Sequence, residues 1–273
     1  MKTASTDALA AAEHLGTRAR MRTAQLRRTF VESPEDGAGT PPLARMLRGG
    51  RGGTVRLKLY LSLIWLAAMP PHDASYPARA WATLMDLSLP DTNGARRVNE
   101  AIKWLQDHNF LTVEVIPGHP NRVTLLDESG MDTPYSVPGE AYNRLKSAGS
   151  EDVALASHRY VQIPAQFWTS GWLATLSAPA VAMLLVMLCE QGAQDRDREL
   201  WFSPGRARNR YGLSDETRSI GLNELRRAKI VTARRRPVGR DMFDVRRFRN
   251  VYVLHLDHLA EPAFVPLDDQ PQR

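Results

Sequence analysis

Cysteine is almost absent from this chain of 273 residues, because Cys189 is the only one. A single cysteine cannot form an intrachain disulfide, and it cannot assemble a zinc cluster by itself. Cys189 also lies in an apolar run, which favours a core position over a role as a nucleophile. A disulfide-stabilised fold is thereby excluded, and a reducing compartment such as the cytoplasm is indicated.

Long hydrophobic runs are also lacking. The two longest, 57–69 and 176–189, contain polar or small residues and fall short of the roughly 20 apolar residues that span a bilayer. The first residues do not contain the apolar core of an export signal. We therefore expect neither membrane insertion nor export.

Motifs of catalysis and of metal binding are missing as well. The stretch GGRGG at 49–53 lacks the Lys-Ser/Thr pair of a phosphate-binding loop. No Gly-x-Ser-x-Gly sequence or paired carboxylates stand out. His255 and His258 are three residues apart, but no third metal ligand accompanies them. The sequence therefore predicts no enzymatic activity, no cofactor, no catalytic residue and no metal site.

What the chain does contain is positive charge concentrated in one segment. Residues 203–249 include 14 basic and five acidic residues, a net charge of +9, whereas the whole chain carries +6. The remainder is therefore net negative. Such an asymmetry is typical of a protein that binds a polyanion, since a merely soluble surface usually intersperses the two signs.

Two segments of the chain follow the same predicted order of elements. Apolar helices at 55–68 and 178–191 are each followed by a loop, two shorter helices and two strands of alternating pattern. Three helices followed by a β-hairpin predict a winged helix-turn-helix. The predicted fold class is therefore mainly α with small β-hairpins (α+β), with two winged helix-turn-helix domains in tandem.

The domain boundaries follow from proline- and glycine-rich stretches between these segments. The predicted divisions are a basic N-terminal helix and linker at 1–42, a first winged-helix domain at 43–126, a linker at 127–159, a second, strongly basic winged-helix domain at 160–256, and a mobile tail with acids and prolines at 257–273. Within the first division, residues 1–30 are predicted to form a helix, either a basic arm or a helical extension, and the linker at 127–159 contains a candidate short helix at 140–148.

The helix predicted at 214–228 is the strongest candidate for recognition. Ser214 is a suitable N-cap, and the acids Asp215 and Glu216 suit the first turn of a helix. At about 100° per residue, one face carries Thr217, Gly221, Glu224, Leu225 and Ala228, with Ile220 at its edge. Gly221 and Ala228 should allow close approach to the preceding helix. The opposite face carries Ser219, Asn223 and Arg226, flanked by Arg218, Leu222 and Arg227.

Arginine and asparagine are the side chains that most often bind guanine and adenine edges in the major groove. The flanking helix and hairpin supply further arginines for phosphates or for the minor groove. An ordinary exposed helix with solvated arginines is the alternative. The predicted DNA-binding residues are Arg206, Arg208, Arg210, Arg218, Ser219, Asn223, Arg226, Arg227, Arg234, Arg235, Arg236, Arg240, Arg246 and Arg247 in the second domain and, more weakly, Arg96, Arg97 and Lys103 in the first.

The stretches YVQIPAQFW and GWLATLSAPAVAMLLVML, followed by FSPGRARNRYGLSDETRSIGLNELRRAKIV, resemble tandem winged-helix proteins of actinobacterial plasmids and mobile elements. The layout is similar to that of winged-helix plasmid replication initiators. The resemblance covers 160–256 and, more loosely, 43–126. It implies sequence-specific binding to double-stranded DNA, often as a homodimer.

Two functions remain open from the sequence. The first is a sequence-specific DNA-binding protein, cytoplasmic and nucleoid-associated, that regulates transcription or initiates replication of a plasmid or mobile element. The alternative is a winged-helix scaffold for protein interaction, whose basic surface meets an acidic partner. In the first domain, docking of a partner or dimerisation competes with contact to DNA, because Glu100 and Asp107 dilute its charge.

Overall fold

A computed structural model of the chain describes residues 1–19, 21–33, 39–48, 52–192, 198–238 and 248–266. The α-helices within these ranges are α1 (Thr6–Gly16), α2 (Arg28–Val31), α3 (Pro42–Leu47), α4 (Gly53–Leu66), α5 (Ala78–Leu84), α6 (Ala95–Asp107), α7 (Pro138–Ser147), α8 (Asp152–Ser157), α9 (Gln166–Thr169), α10 (Trp172–Thr175), α11 (Ala178–Gln191), α12 (Pro204–Tyr211) and α13 (Asp215–Arg227). A π-helical turn at Pro90–Gly94 and a 3-10 turn at Leu256–Ala260 complete the helical elements.

The strands are short and form small antiparallel sheets. They are β1 (Lys2–Thr3), β2 (Thr23–Arg27), β3 (Asp73–Ala74), β4 (Leu111–Glu114), β5 (Arg122–Leu125), β6 (Tyr160–Pro164), β7 (Val231–Pro237), β8 (Phe248–Leu254) and β9 (Phe264–Val265). Strand β1 pairs with β9, β2 with β6, and β7 with β8, while β5 lies between β3 and β4. The chain is therefore a mixed α+β protein in which helices predominate.

The elements from α4 to β5, hereafter the first unit, follow the same order as those from α11 to β8, hereafter the second unit. In the first unit, β3 lies between the first two helices and pairs with the last strand, β5. In the second unit, Leu200 occupies the same position and forms a β-bridge with Tyr252 of β8. The similarity of the two units therefore extends from element order to strand pairing.

The core of the protein runs continuously through both units. Helices α4 and α11 are apolar around most of their circumference and are buried along nearly their whole length, as expected of helices without a polar face. The indole rings of Trp65 and Trp168 stack with centroids 4.8 Å apart. This contact joins the end of α4 to the segment that precedes the second unit.

The prediction of one helix over residues 1–30 is wrong. Helix α1 ends at Gly16, and β2 pairs with β6 in register from Thr23 opposite Pro164 to Arg27 opposite Tyr160. In β2 the alternation of buried Ala24 and Leu26 with more exposed neighbours has a period of two, which is a strand pattern. The arginines around it concealed this pattern and suggested a basic arm.

Two other predicted divisions also differ from the structure. The predicted linker 127–159 includes α7, which matches the short helix predicted at 140–148, but it also contains α8 and the fully buried Glu128. The predicted mobile tail is wrong for residues 257–266, because Phe264 and Val265 pair with Thr3 and Lys2; residues 267–273 lie outside the described part. Each segment provides apolar residues that pack on the common core, among them Tyr135 and Val137 in the first and Leu259 and Val265 in the second.

Lys58 places an amine inside this core. Its side chain is only 4% exposed, and its Nζ donates a hydrogen bond to the carbonyl oxygen of Ala174, 3.1 Å away. Burial lowers the pKa of Lys58 from its ordinary value near 10.5 to about 7, an effect reinforced by Lys2 and opposed by Glu224 and Asp86. The cause is the loss of hydration by the charged form.

We expect the free energy of unfolding to rise by about 1.4 kcal/mol per pH unit between pH 7 and 10, because the unfolded chain then holds a proton on Lys58 that the folded chain has lost. Lys58→Met should remove this contribution and be more stable than the wild type at pH 6. Urea unfolding of both proteins at pH 6, 8 and 10 measures the difference. A difference that does not change with pH would contradict a buried, titrating amine.

Candidate nucleic-acid interface

Helix α13 begins and ends where its sequence predicts. The Ser214 Oγ accepts a hydrogen bond from the backbone N–H of Thr217, 3.1 Å away, and Asp215 and Glu216 occupy the first turn. This is the N-capping arrangement that satisfies a free backbone donor. The helix is therefore held at its start by its own sequence, independently of any ligand.

The inner face of α13 packs against α11. A Cβ on Gly221 would lie 2.3 Å from the carbonyl oxygen of Pro179 and 2.7 Å from Met183 Cγ. Gly221 thus permits a close contact between helices, as predicted. The helix that it contacts is α11, whereas the sequence predicts a contact with the preceding helix, α12. Leu225 and Ala228 are fully buried on the same face.

Glu224 connects this inner face to the start of α11. Its carboxylate accepts hydrogen bonds from the backbone N–H of Ser177, at 2.8 Å, and from the Ser177 hydroxyl. The N-terminus of a helix carries partial positive charge, so a carboxylate placed there is stabilised. Glu224 therefore has a structural role and fixes the orientation of α13 on the core.

The outer face of α13 displays Ser219, Asn223 and Arg226, which are all exposed; these three residues are called the outer row. The Arg226 guanidinium lies 3.5 Å from the Asn223 Oδ1. Two residues next to the outer row differ from the prediction in how exposed their side chains are. Leu222, predicted beside the outer row, is 5% exposed, whereas Ile220, predicted at the edge of the inner face, is 46% exposed. The outward surface is consequently a polar row with one aliphatic side chain beside it.

Several predicted DNA-binding arginines are paired with acids of the same chain. Asp215 accepts from Arg208 at 3.0 Å and lies 3.2 Å from Arg218. Arg210 is 24% exposed and pairs with Glu32 at 2.8 Å. The pair ties α12 to the segment that follows α2. The side chain of Arg206 lies outside the described part, and Arg227 is half-buried at the end of α13.

The hairpin formed by β7 and β8 follows directly after α13. Arg234 and Arg235 are exposed on β7. Arg236 instead forms a two-pronged contact with Glu199, with 3.0 Å from Nε to Oε1 and 2.6 Å from Nη2 to Oε1, and this contact lowers the pKa of Glu199. Arg249 stacks over the ring of Trp201 at 4.7 Å. The predicted residues Arg240, Arg246 and Arg247 lie outside the described residues.

The first unit presents a weaker positive surface. On α6, Arg96 is bound by Glu100 and by the Asn93 Oδ1, Arg97 is half-buried, and Lys103 is exposed. The hairpin of this unit is nearly neutral, because Arg122 pairs with Glu114 at 2.8 Å and with Asp73 at 3.5 Å. Exposed surface ion pairs of this kind contribute little to stability, but they reduce the positive field of the surface.

The Cys189 thiol lies in the protein core. Burial raises the pKa of the Cys189 thiol well above its ordinary value, which opposes formation of a nucleophilic thiolate. No group of three or more histidine, cysteine or acidic residues is placed to hold a metal ion among the described residues. None of the helices in those residues has the length and apolar character to cross a bilayer.

Comparisons with protein-family models, with curated proteins and with solved structures give no match for this chain. The assignment of function therefore depends on the geometry and charge of the molecule itself.

Proposed function

We propose that this chain is a sequence-specific double-stranded DNA-binding protein built from two winged helix-turn-helix units. The observation that carries the proposal is the division of α13 into an inner face fixed on α11 and an exposed outer row of Ser219, Asn223 and Arg226. A helix of this kind that follows a shorter helix after a tight turn is the element that enters the major groove in helix-turn-helix proteins.

Three further features support the proposal. Gly212, in the turn between α12 and α13, has a φ of 62°, a conformation that glycine adopts without strain. The hairpin after α13 carries exposed Arg234 and Arg235, suited to backbone phosphates. The strand pairing of this hairpin with Leu200 and the order of the preceding helices are repeated in the first unit.

Within this proposal, the outer row specifies the sequence, and the hairpin positions the duplex. Asparagine can bind adenine N6 and N7, and arginine can bind guanine O6 and N7. Ile220 adds an apolar contact suited to a thymine methyl group. The biological setting we propose is transcriptional regulation or initiation of replication in a plasmid or mobile element, with the protein acting in the cytoplasm as a homodimer.

The outer row and the hairpin should respond differently to substitution. Once a preferred duplex is selected from random sequences, Asn223→Ala and Arg226→Ala should each weaken its binding by about 1–3 kcal/mol, with a smaller effect on unrelated DNA. Arg235→Ala should weaken binding to the selected duplex and to unrelated DNA alike. It should also reduce the slope of log K against log salt by about one, because one phosphate contact is lost. Fluorescence anisotropy at several salt concentrations measures these effects.

Arg144→Ala is the matched control, because it removes an equal charge from an exposed position on α7, outside the helices and hairpins of both units. Its binding should remain that of the wild type. Equal losses for all four variants on every duplex would contradict the division of roles. Failure to select any preferred sequence would refute specific recognition altogether.

A protein-interaction scaffold is the second candidate. The observation that favours it is the internal pairing of Arg208, Arg210 and Arg236 with acids of the chain, which leaves a less basic surface than the composition suggests. An acidic protein partner would then replace DNA. Purification with a stoichiometric protein and without nucleic acid would support this candidate over the first.

A further inference from the structure

A cleft of about 440 Å³ lies between the start of α4 and the first turns of α6. Gly52 and Arg56 line one side, and Asn93, Arg96, Arg97 and Glu100 line the other. A cleft of this size is within the range of ligand-binding sites in proteins. It is separate from α13 and from the hairpin β7–β8.

Arg56 is positioned in this cleft by an aromatic ring and not by an acid. Its guanidinium lies 4.6 Å from the centroid of the Trp104 ring, and its Nη1 donates to the carbonyl oxygen of Arg48 at 3.3 Å. No carboxylate of the described residues pairs with it. Partial burial lowers its pKa, as expected for a cation that loses water without gaining an anion.

The opposite side adds a second cation without an acidic partner. Arg97 is half-buried, and no ion pair to it is present among the described residues. Arg96 differs from it, because Glu100 and Asn93 already bind its guanidinium. The cleft therefore has an excess of two positive charges, Arg56 and Arg97. The first turn of the 14-residue helix α4 begins at the same place, and the N-terminus of a helix also favours an anion.

We propose that this cleft binds a phosphate group, and that in the intact complex this is a backbone phosphate of the DNA. The proposal extends the proposed function, because it makes the first unit a second point of attachment to the same duplex. Two guanidinium groups converging on one cleft are the usual way in which proteins bind phosphate. The same chemistry would also accept the phosphate of a small molecule, and the experiment separates the two sources.

Substitution of Gly52 by alanine should move the Arg56 guanidinium without removing its charge. A Cβ at this position would lie 2.9 Å from Arg56 Nη2 and 3.1 Å from Arg56 Cζ. Because the clash is with the end of a flexible side chain, Gly52→Ala should displace the guanidinium and leave the helix intact. Arg144→Gln is the matched charge control, because it removes one exposed positive charge from α7, which does not line the cleft.

The first arm measures binding to the selected duplex as a function of salt. Arg56→Gln and Arg97→Gln should each weaken binding by about 3- to 10-fold near 0.1 M salt and reduce the salt slope by about 0.9. Gly52→Ala should weaken binding although the charge of the protein is unchanged, and Arg144→Gln should have a smaller effect than Arg56→Gln or Arg97→Gln. Thermal unfolding of each variant verifies that the fold is retained.

The second arm titrates the full chain with inorganic pyrophosphate and records tryptophan emission. An anion in the cleft would change the contact between Arg56 and Trp104, so the signal should disappear in Trp104→Phe and in Arg97→Gln. An effect on the duplex without a pyrophosphate signal assigns the cleft to the DNA backbone. A pyrophosphate signal without an effect on the duplex assigns it to a free phosphate compound.

Absence of both effects would overturn the proposal, even if α13 still binds its duplex. If the wild type binds no duplex at all, the proposed function fails, and the pyrophosphate arm alone decides whether the cleft binds phosphate.

Discussion

Gly221→Ala will lower the free energy of unfolding by about 3 kcal/mol, because it forces a methyl group into a closed helix contact. The added Cβ would lie 2.3 Å from a backbone carbonyl oxygen, that of Pro179, and 2.7 Å from Met183 Cγ. The carbonyl belongs to the first turn of buried α11 and cannot rotate away as a side chain would. Helix α13 must therefore shift outward, and DNA affinity should fall together with stability.

Urea unfolding followed by circular dichroism measures the loss of stability. Gly205→Ala is the matched control, since Gly205 also lies in a helix, α12, but among the described residues no atom outside its chain neighbours and its own helix backbone lies within 4 Å of a Cβ built there. That substitution should leave stability unchanged or raise it by about 0.5–1 kcal/mol, because alanine loses less backbone entropy on folding. If the two variants unfolded at the same urea concentration, the proposed contact between α13 and α11 would be wrong.

Arg27→Met will lower the free energy of unfolding by about 3–5 kcal/mol, the usual effect of removing one partner of a buried ion pair. Arg27 is 2% exposed and contacts Glu128, which is fully buried, and Asp127 at 3.3 Å. Its Nη2 also donates to the backbone oxygen and the hydroxyl of Ser136, both at 2.9 Å. Without Arg27, buried Glu128 would lose its counter-charge and would have to bind a proton or remain charged without a partner, and either state costs stability.

The pKa of Glu128 shows how costly that burial is. Burial raises it to about 7, although the Arg27 guanidinium acts in the opposite direction. The double variant Arg27→Met, Glu128→Met should therefore recover much of the lost stability, because a buried ion pair can be replaced by apolar side chains at little net cost. Chemical unfolding of both single variants and the double variant forms a complete cycle. A double variant as unstable as the sum of the single ones would refute the coupling.

Local sequence patterns predicted α13 well because its determinants are local. Ser214 caps the helix, the acids in the first turn follow it directly, and the helical period separates Gly221 and Leu225 from the outer row. The helical period predicts burial wrongly at the boundary between the inner and outer faces. Ile220 and Leu222 occupy such positions, where the packing of neighbouring elements decides which side chain is covered.

The N-terminal segment was predicted wrongly because its partner strand is distant in sequence. Arg27 lies opposite Tyr160 in the sheet, and its charge is neutralised by Glu128 and Asp127, about 100 residues away. The amino-acid composition alone does not distinguish a buried, paired arginine from an exposed one, so Arg27 was assigned to a basic arm. Only the three-dimensional arrangement shows that it is an internal cation that holds the predicted linker against β2.

The ion pairs that other arginines form with acidic residues could not be predicted from the sequence either. Arg210 and Glu32 are separated by 178 positions, and Arg236 and Glu199 by 37. Neither pair has a fixed local spacing that could predict it. The charge of the segment 203–249 was therefore counted correctly, but its availability to a partner was overestimated. The same limitation concealed the contact between Arg56 and Trp104, which come from different helices.

The β-bridge between Leu200 and Tyr252 determines how freely the hairpin β7–β8 can move. Two hydrogen bonds form it, from Leu200 N to Tyr252 O at 2.7 Å and from Tyr252 N to Leu200 O at 2.8 Å. A swing of the whole hairpin away from Leu200 would have to break both. If the hairpin and the outer row bind one duplex as proposed, the hairpin backbone is therefore already held in place, and the ordering entropy of binding falls mainly on the exposed side chains.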